Sequence, residues 1–398
     1  MKIAFLTMLA SAQAGPNGVR TSVRELGRGL KAAGHEVVVV TCGPPGETVE
    51  GDLRVMHVGE VPQLQSMWRA LSPRFVWQRL RYMVLAARAI RRLDPDVVEV
   101  PEGGFEHFFL LFRRPCPIVV RLHGNVSSTL SRTMGSRALE FVEAFTTRLA
   151  DGISSPSRAY AERIAADYRI DVDRIRIVAN GVDIGALDAR AQGGTALRRT
   201  YGLGDRTLVL FTGAVTARKG ARQLCEVARQ LVQREDTVFV VAGPRGHDAL
   251  KIDFPDNVVE SGEVSRTEVC RLCREAAVFI MPSRFENLSM SLLEALSFEL
   301  PVVAFDVGGN AELVKDGENG FLIPWLNTDL MAAQVSLLLD DVVRRQTMGQ
   351  ASRALVESRF SRRRVVGASE AFYQESRASW AARQRSGIRS TYRRKSSE

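Results

Sequence analysis

The chain has 398 residues, 45% hydrophobic and 25% charged, with 32 Gly and 15 Pro, which is too long for one ordinary core, suits two α/β domains and leaves little room for extensive disorder. Its formal charge of +9 is uneven, because residues 376–398 hold seven Lys or Arg against one acid. The mildly basic remainder argues against a nucleic-acid binder with a broad basic face and for an anionic ligand or membrane surface touching local patches.

Residues 1–14 carry a lysine, an apolar stretch and an Ala12-Gln13-Ala14 end, which imitates a short signal peptide. Lys2-Ile3-Ala4-Phe5-Leu6-Thr7 reads equally as a buried first strand. The Gly15-Pro16-Asn17-Gly18 turn and the helical pattern after it complete a βα unit, so the strand is preferred. Further strands are predicted at 36–41, 96–100, 118–122, 152–155 and 175–178, then at 207–211, 237–242, 258–260, 278–281 and 301–305. They alternate with helical stretches, the pattern of a parallel sheet covered on both faces. Between the halves, residues 184–206 hold Gly185, Gly193, Gly194, Gly202 and Gly204 and no strand pattern, and form the candidate hinge. The fold class predicted is α/β, with two Rossmann-like domains near 1–185 and 186–370 and a ligand cleft between them.

Residues 62–92 combine seven arginines and no acid with Met67, Trp68, Phe75, Trp77, Tyr82 and Met83. Two readings stand: an amphipathic surface lying on an anionic bilayer, or a helical excursion whose aromatics face its own core. No apolar run is long enough for a membrane-spanning helix. The basic tail, 384–398, is expected to fray or be disordered. Cys42, Cys116, Cys225, Cys270 and Cys273 are odd in number and scattered, which argues against a disulfide framework and for a reducing, cytoplasmic compartment. Cys270 and Cys273 form a CxxC with no second ligand pair, inside an amphipathic helical pattern, so metal or redox use is not expected.

The stretch from Pro282 through Ser283-Arg284-Phe285-Glu286-Asn287-Leu288-Ser289-Met290-Ser291 to Ala295 follows an apolar strand and opens a helix. Amides at such a start can bind an anion or sugar hydroxyls. Glu286 is expected in the loop and Glu294 about a turn inside the helix. Ser291-x-x-Glu294 also fits a capping box that needs no ligand. Taken alone, Lys219-Gly220 reads as a solvated loop and His123 as a structural residue at a strand end.

This stretch resembles the Glu-x7-Glu motif of retaining glycosyltransferases of the GT-B fold, family 4. Gly308-Gly309-Asn310-Ala311-Glu312-Leu313-Val314 and Asp316-Gly317-Glu318-Asn319-Gly320-Phe321-Leu322 are similar to the signatures that follow it in that family. Asn180-Gly181-Val182-Asp183, the Gly15-to-Arg20 loop, Gly34-His35-Glu36-Val37 and His123-Gly124 match in the same order. The resemblance implies a nucleotide-sugar donor such as a UDP- or GDP-sugar as co-substrate, no further cofactor and no metal. It implies a glycan, lipid-linked sugar or small molecule as acceptor, and no nucleic-acid partner. Lys219 would stabilise the departing diphosphate, with Gly213, Arg218 and Gly18 lining the donor site. Glu286 would orient the donor sugar, helped by amides around Leu288 and Ser289. Glu294 would bind the ribose hydroxyls, and His123 would approach the transferred sugar. Retention there needs no protein nucleophile. A final helix, 369–383, would cross back to the first domain. The family has Arg directly after the first glycine of its lysine loop, where this chain has Ala214.

Two rival readings come from other classes. A GT-B pseudoenzyme, kept as a sugar- or nucleotide-binding regulator, draws support from Ala214. A Rossmann dehydrogenase lacks its G-x-G-x-x-G after the first strand.

Overall fold

The computed structural model describes residues 1–11, 17–61, 73–103, 106–124, 134–194, 196–249 and 251–395. Contacts divide the chain into two compact units, Met1–Ala179 with Val365–Glu398, and Asn180–Arg364.

The first unit is built on an eight-stranded sheet. Its strands are β1 (Lys2–Leu6), β2 (Glu36–Thr41), β3 (Gly43–Glu50), β4 (Leu53–Gly59), β5 (Val97–Pro101), β6 (Ile118–Arg121), β7 (Gly152–Ser155) and β8 (Ile175–Ile177), in the order β3-β4-β2-β1-β5-β6-β7-β8. All neighbours run parallel except the β3–β4 pair. The central strands are continuous apolar runs because helices bury both their faces. The residues Ile3, Phe5, Val37 and Val39 pack with Val23, Leu26 and Leu30 of the first helix, Gly18–Ala32, and with Phe372 and Tyr373 of the last. The helix Gly18–Ala32 leads from β1 to β2 on one side and the helix Pro73–Leu93 leads from β4 to β5 on the other, so the carboxyl ends of β1 and β5 form a switch point.

The second unit holds β9 (Thr207–Thr212), β10 (Thr237–Ala242), β11 (Val258–Gly262), β12 (Val278–Met281), β13 (Val302–Phe305) and β14 (Gly320–Ile323). The order β11-β10-β9-β12-β13-β14, parallel throughout, is the doubly wound 3-2-1-4-5-6 arrangement. Its core joins Val209, Phe211, Phe239, Val241, Ile280 and Val303 to Val227, Val335 and Leu338 of the covering helices. Here the switch point lies between β9 and β12, and it positions the loops 213–220 and 282–289.

Several expectations are corrected. The antiparallel β3–β4 hairpin and β14 were not predicted: β3 reads Gly-Pro-Pro-Gly-Glu-Thr-Val-Glu, a turn-like composition on an exposed edge. Residues 184–206 are not a hinge. The helices Ile184–Arg190 and Leu197–Thr200 belong to the second unit, held by Asp188 to Arg353 at 2.9 Å and Arg198 to Glu275 at 2.6 Å. The positive φ values of Gly193, Gly202 and Gly204 serve tight turns there. The last helix runs Arg362–Lys395, through most of the segment expected to fray, and is rich in the helix-favouring Arg and Ala.

Much of residues 62–92 can be followed. Residues 62–72 lie outside the described part, with Met67 and Trp68. The helix Pro73–Leu93 then turns Tyr82, Met83, Ala86, Ala87 and Ile90 into the core and leaves Val76, Trp77 and Leu80 exposed. All five cysteines are buried and unbridged, with Cys270 and Cys273 on the inner face of the helix Arg266–Glu275. No described helix is long and apolar enough to cross a membrane.

Candidate functional site

In the second unit the loop after β9 is shaped by its own polar contacts. Thr216 Oγ1 accepts from the Lys219 amide at 3.2 Å, and Asp248 Oδ2 accepts from the Ala217 amide at 2.9 Å. Gly213 (φ 137°) leaves β9, and Gly220 (φ 77°) caps the helix Ala221–Gln230. Gly220 is compulsory, since a Cβ there would lie 1.8 Å from the Pro282 carbonyl oxygen of the neighbouring loop. The Arg284 amide donates to the Arg218 carbonyl at 2.8 Å, so the two switch-point loops are joined.

That close approach brings two predicted residues together. Lys219 Nζ lies 2.7 Å from Glu286 Oε1, and Arg218 Nη1 lies 4.0 Å from the same oxygen. Both partners of the shorter pair are largely enclosed, at 13% and 7% side-chain exposure, so water screens them little. Burial would raise the Glu286 carboxyl, but Lys219 and Arg218 outweigh it and hold the group below its ordinary value. Two cations around one carboxylate leave a net positive charge where a diphosphate could be received. Ala214 adds no charge there; Arg218, half-exposed, is the nearest substitute.

The backbone of Glu286 is fixed from the other side by Gly308-Gly309. The Gly309 amide donates to the Glu286 carbonyl at 3.1 Å, and a Cβ on Gly308 would fall 1.9 Å from that oxygen. Asn180 also acts here, its side-chain amide donating to the buried Leu288 carbonyl at 3.0 Å. The helix Met290–Ser297 begins at Ser289, whose hydroxyl caps the Leu292 amide at 3.4 Å. The Ser291–Glu294 capping box is therefore not formed. Glu294 instead pairs with Arg266 at 2.7 Å, from the first turn of the helix Arg266–Glu275, a partner that sequence spacing does not signal.

Two predicted residues lie in the first unit. Gly18 opens its helix behind the N-cap Asn17, and a Cβ there would meet open space, so packing does not demand glycine. The turn before it, residues 12–16, lies outside the described part. His123 follows β6. Burial, with Arg121 as a lesser cause, pushes its pKa down to about 3, which keeps the imidazole neutral at physiological pH. Its backbone amide donates to Glu102 Oε2 at 2.6 Å, and the Gly124 amide to Glu102 Oε1 at 2.7 Å. Glu102 was missed by sequence reading, where it looks like one more acid after a strand. A second buried carboxylate, Glu106, accepts from the Met8 amide at 2.9 Å and the Tyr82 hydroxyl at 3.1 Å. Among the described residues no group of three or more His, Cys, Asp or Glu could hold a metal ion.

Two family models match the chain: "Glycosyltransferase Family 4" over residues 16–185 and "Glycosyl transferases group 1" over residues 195–355. An alpha-D-kanosaminyltransferase of Streptomyces kanamyceticus is 28% identical over 62% of this chain and 67% of its own length. A D-inositol 3-phosphate glycosyltransferase of Xylanimonas cellulosilytica is 28% identical over 85% of this chain and 87% of its own. Among solved structures, sucrose-phosphate synthase of Thermosynechococcus elongatus superposes with a TM-score of 0.77 at 17% identity, covering 94% of this chain and 98% of that one. Anabaena HepE in complex with UDP-glucose superposes with a TM-score of 0.72 at 17% identity over 94% and 98% of the two chains.

Proposed function

The chain belongs to the group 1, family 4 glycosyltransferases of GT-B fold, and on that premise we propose that it moves a sugar, with retention of configuration and without a metal, from a nucleoside-diphosphate sugar to an acceptor. The observation that carries this reading is the buried Lys219–Glu286 pair at the switch point of the second unit. Departure of the nucleoside diphosphate puts negative charge on phosphate oxygens, and Lys219, with Arg218 behind it, meets that charge as it grows. Glu286 orients the donor sugar and supports positive charge at its ring. Leu288 and Ser289 present amides beside it. Glu294, steadied by Arg266, accepts from the ribose hydroxyls, a role that suits an acceptor-only carboxylate. His123, neutral, can donate to or accept from a sugar hydroxyl. No covalent nucleophile is assigned: Glu286 and Glu294 sit on one loop-to-helix turn, not on opposing sides of a bond as in a paired-carboxylate hydrolase. The UDP-glucose complex of the Anabaena relative supports a nucleotide sugar as donor.

The test is a thermal-shift screen of UDP-, GDP- and ADP-sugars followed by turnover of whichever binds. A donor at 100 times its Kd should stabilise the protein by about 2.7 kcal/mol. Glu294→Ala should raise the donor KM by about tenfold or more with kcat less affected, because the ribose contact is alike in ground and transition states. Binding without turnover would favour the pseudoenzyme to which Ala214 points. No binding of any nucleotide sugar would overturn the reading.

The acceptor side includes the membrane. We propose that the anionic cytoplasmic bilayer face meets the helix Pro73–Leu93, because Val76, Trp77 and Leu80 are exposed at 41%, 60% and 43%, with Arg81 over the Trp77 ring. Binding to vesicles containing anionic lipid should weaken as salt is raised, since exposed charges are screened within about 8 Å at physiological ionic strength. Trp77→Ala should reduce it further. Binding that is absent, or indifferent to salt, would remove the membrane from the proposal.

A further inference from the structure

We infer that Glu102 is a positioning residue for the transfer reaction, gripping the His123-Gly124 turn from beneath so that the peptide carrying the His123 imidazole is held fixed. The inference rests on the role proposed for His123.

Glu102 is fully buried just past β5. Its backbone amide donates to the Arg121 carbonyl at 3.3 Å, which extends the β5–β6 ladder, and its side chain then turns back under the end of β6. Oε2 accepts from the His123 amide at 2.6 Å. Oε1 accepts from the Gly124 amide at 2.7 Å and from the Tyr160 hydroxyl at 3.0 Å. The next residue is fitted to the same turn, since a Cβ on Gly103 would come within 3.0 Å of the Gly124 carbonyl oxygen. Two consecutive amides are thus seated by one carboxylate and one glycine.

A single amide could be capped by serine or asparagine without burying a charge. Only a carboxylate offers two acceptor oxygens to two neighbouring N–H groups and still accepts a third donor. That arrangement fixes both position and direction of the peptide that carries the imidazole. Its ionisation also matters. Burial raises the Glu102 carboxyl to about 7, and Glu143 adds to the rise, while the three backbone amides oppose it. The groups facing it are Tyr160 of the helix Arg158–Tyr168, Glu143 of the helix Met134–Arg148, which accepts from Tyr168, and the His123 turn itself. Protonated, Glu102 loses its charge and carries an O–H on one oxygen, so its acceptance from the two amides weakens. The turn is therefore held by charge-assisted bonds above about pH 7 and by weaker ones below it.

The experiment follows the His123 imidazole carbon-bound proton by NMR in the full chain, assigned through its loss in His123→Asn, as pH is varied across neutrality. The imidazole itself stays neutral in this range, with its pKa lowered to about 3, so a step reports its surroundings. The expected result is a step with a midpoint near 7 in the parent and none in Glu102→Gln. In donor turnover, kcat should fall on the acid side of that midpoint in the parent. Glu102→Gln should lack this limb and stay about tenfold below the parent's alkaline plateau, with donor KM unchanged. Glu106 titrates near the same pH but touches Met8 and Tyr82, so it does not supply the step at His123. A step that persists in Glu102→Gln overturns the inference. So does a parent without one, which settles the matter even if the variant fails to fold. Full turnover by His123→Ala would instead defeat the role given to His123, leaving the grip on the turn to be judged by the NMR step alone.

Discussion

Lys219→Ala should lower kcat by about 10²-fold or more, the order seen when one donor to a developing anion is removed. The lysine is 13% exposed and its ammonium is 2.7 Å from Glu286, so its charge acts where water screens it little. Its removal does two things at once. The diphosphate would depart without the cation proposed to meet it, and Glu286 keeps Arg218 at 4.0 Å and a hydrogen bond from Ser283 against a burial that raises its pKa. Donor KM should change less, because the interaction strengthens as charge develops. Glu286→Gln, which keeps the shape and loses the charge, should also act on kcat. Single-turnover measurement with the donor identified by thermal shift separates these effects from product release. Parental turnover by Lys219→Ala together with its loss in Arg218→Ala would move the phosphate clamp to Arg218.

A larger effect on the folded state is expected from Gly308→Ala. Gly308 adopts φ 53°, and its added Cβ would lie 1.9 Å from the Glu286 carbonyl oxygen. The obstacle is backbone, itself held by the Gly309 amide, so relief requires moving the loop that carries Glu286. A loss of about 3 kcal/mol or more, read as a lowered urea midpoint, is the expected scale for overpacking combined with an unfavourable φ. Gly317→Ala is the control. It has φ 77° with nothing within 4 Å of the added carbon, so only the conformational cost of about 1–2 kcal/mol remains. Equal midpoints for the two variants would show that the loop yields, and that Glu286 is not fixed from this side.

Most strands of both sheets were legible because parallel strands buried on two faces appear as short apolar runs. Ile3 to Leu6, Val37 to Val40 and Val278 to Met281 are of this kind. The edge strand β3 was not, since an exposed edge carries no such signal and its prolines and glycines suggest a turn. The glycines of 184–206 were misread for a related reason: positive φ is needed in turns inside a rigid unit as much as between units. Lys219 and Glu286 were found through ordered motifs, yet their 2.7 Å contact arises from strand order, which places residues 67 apart at one switch point. Glu102 and Arg266 left no trace in local sequence. Each acts on a partner delivered by a different element, His123 after β6 in one case and Glu294 in the next helix in the other.

The last helix starts in the second unit and belongs to the first from Val365 onward. Within the first unit Tyr373 donates to the buried Glu99 at 2.7 Å, and Phe372 and Ser376 pack over Gly152, where even a methyl group would collide. The second unit is thus inserted in sequence within the first, which has consequences during synthesis on the ribosome. At about 5–20 residues per second, the continuous segment Asn180–Arg364 emerges complete before the segment that closes the unit begun earlier. Until then the Glu99 and Arg121 side chains wait with a face of their sheet uncovered. The half translated first is the half finished last, and a nascent chain that has cleared the ribosome only through Arg364 carries a complete second unit and an N-terminal sheet still lacking its final cover.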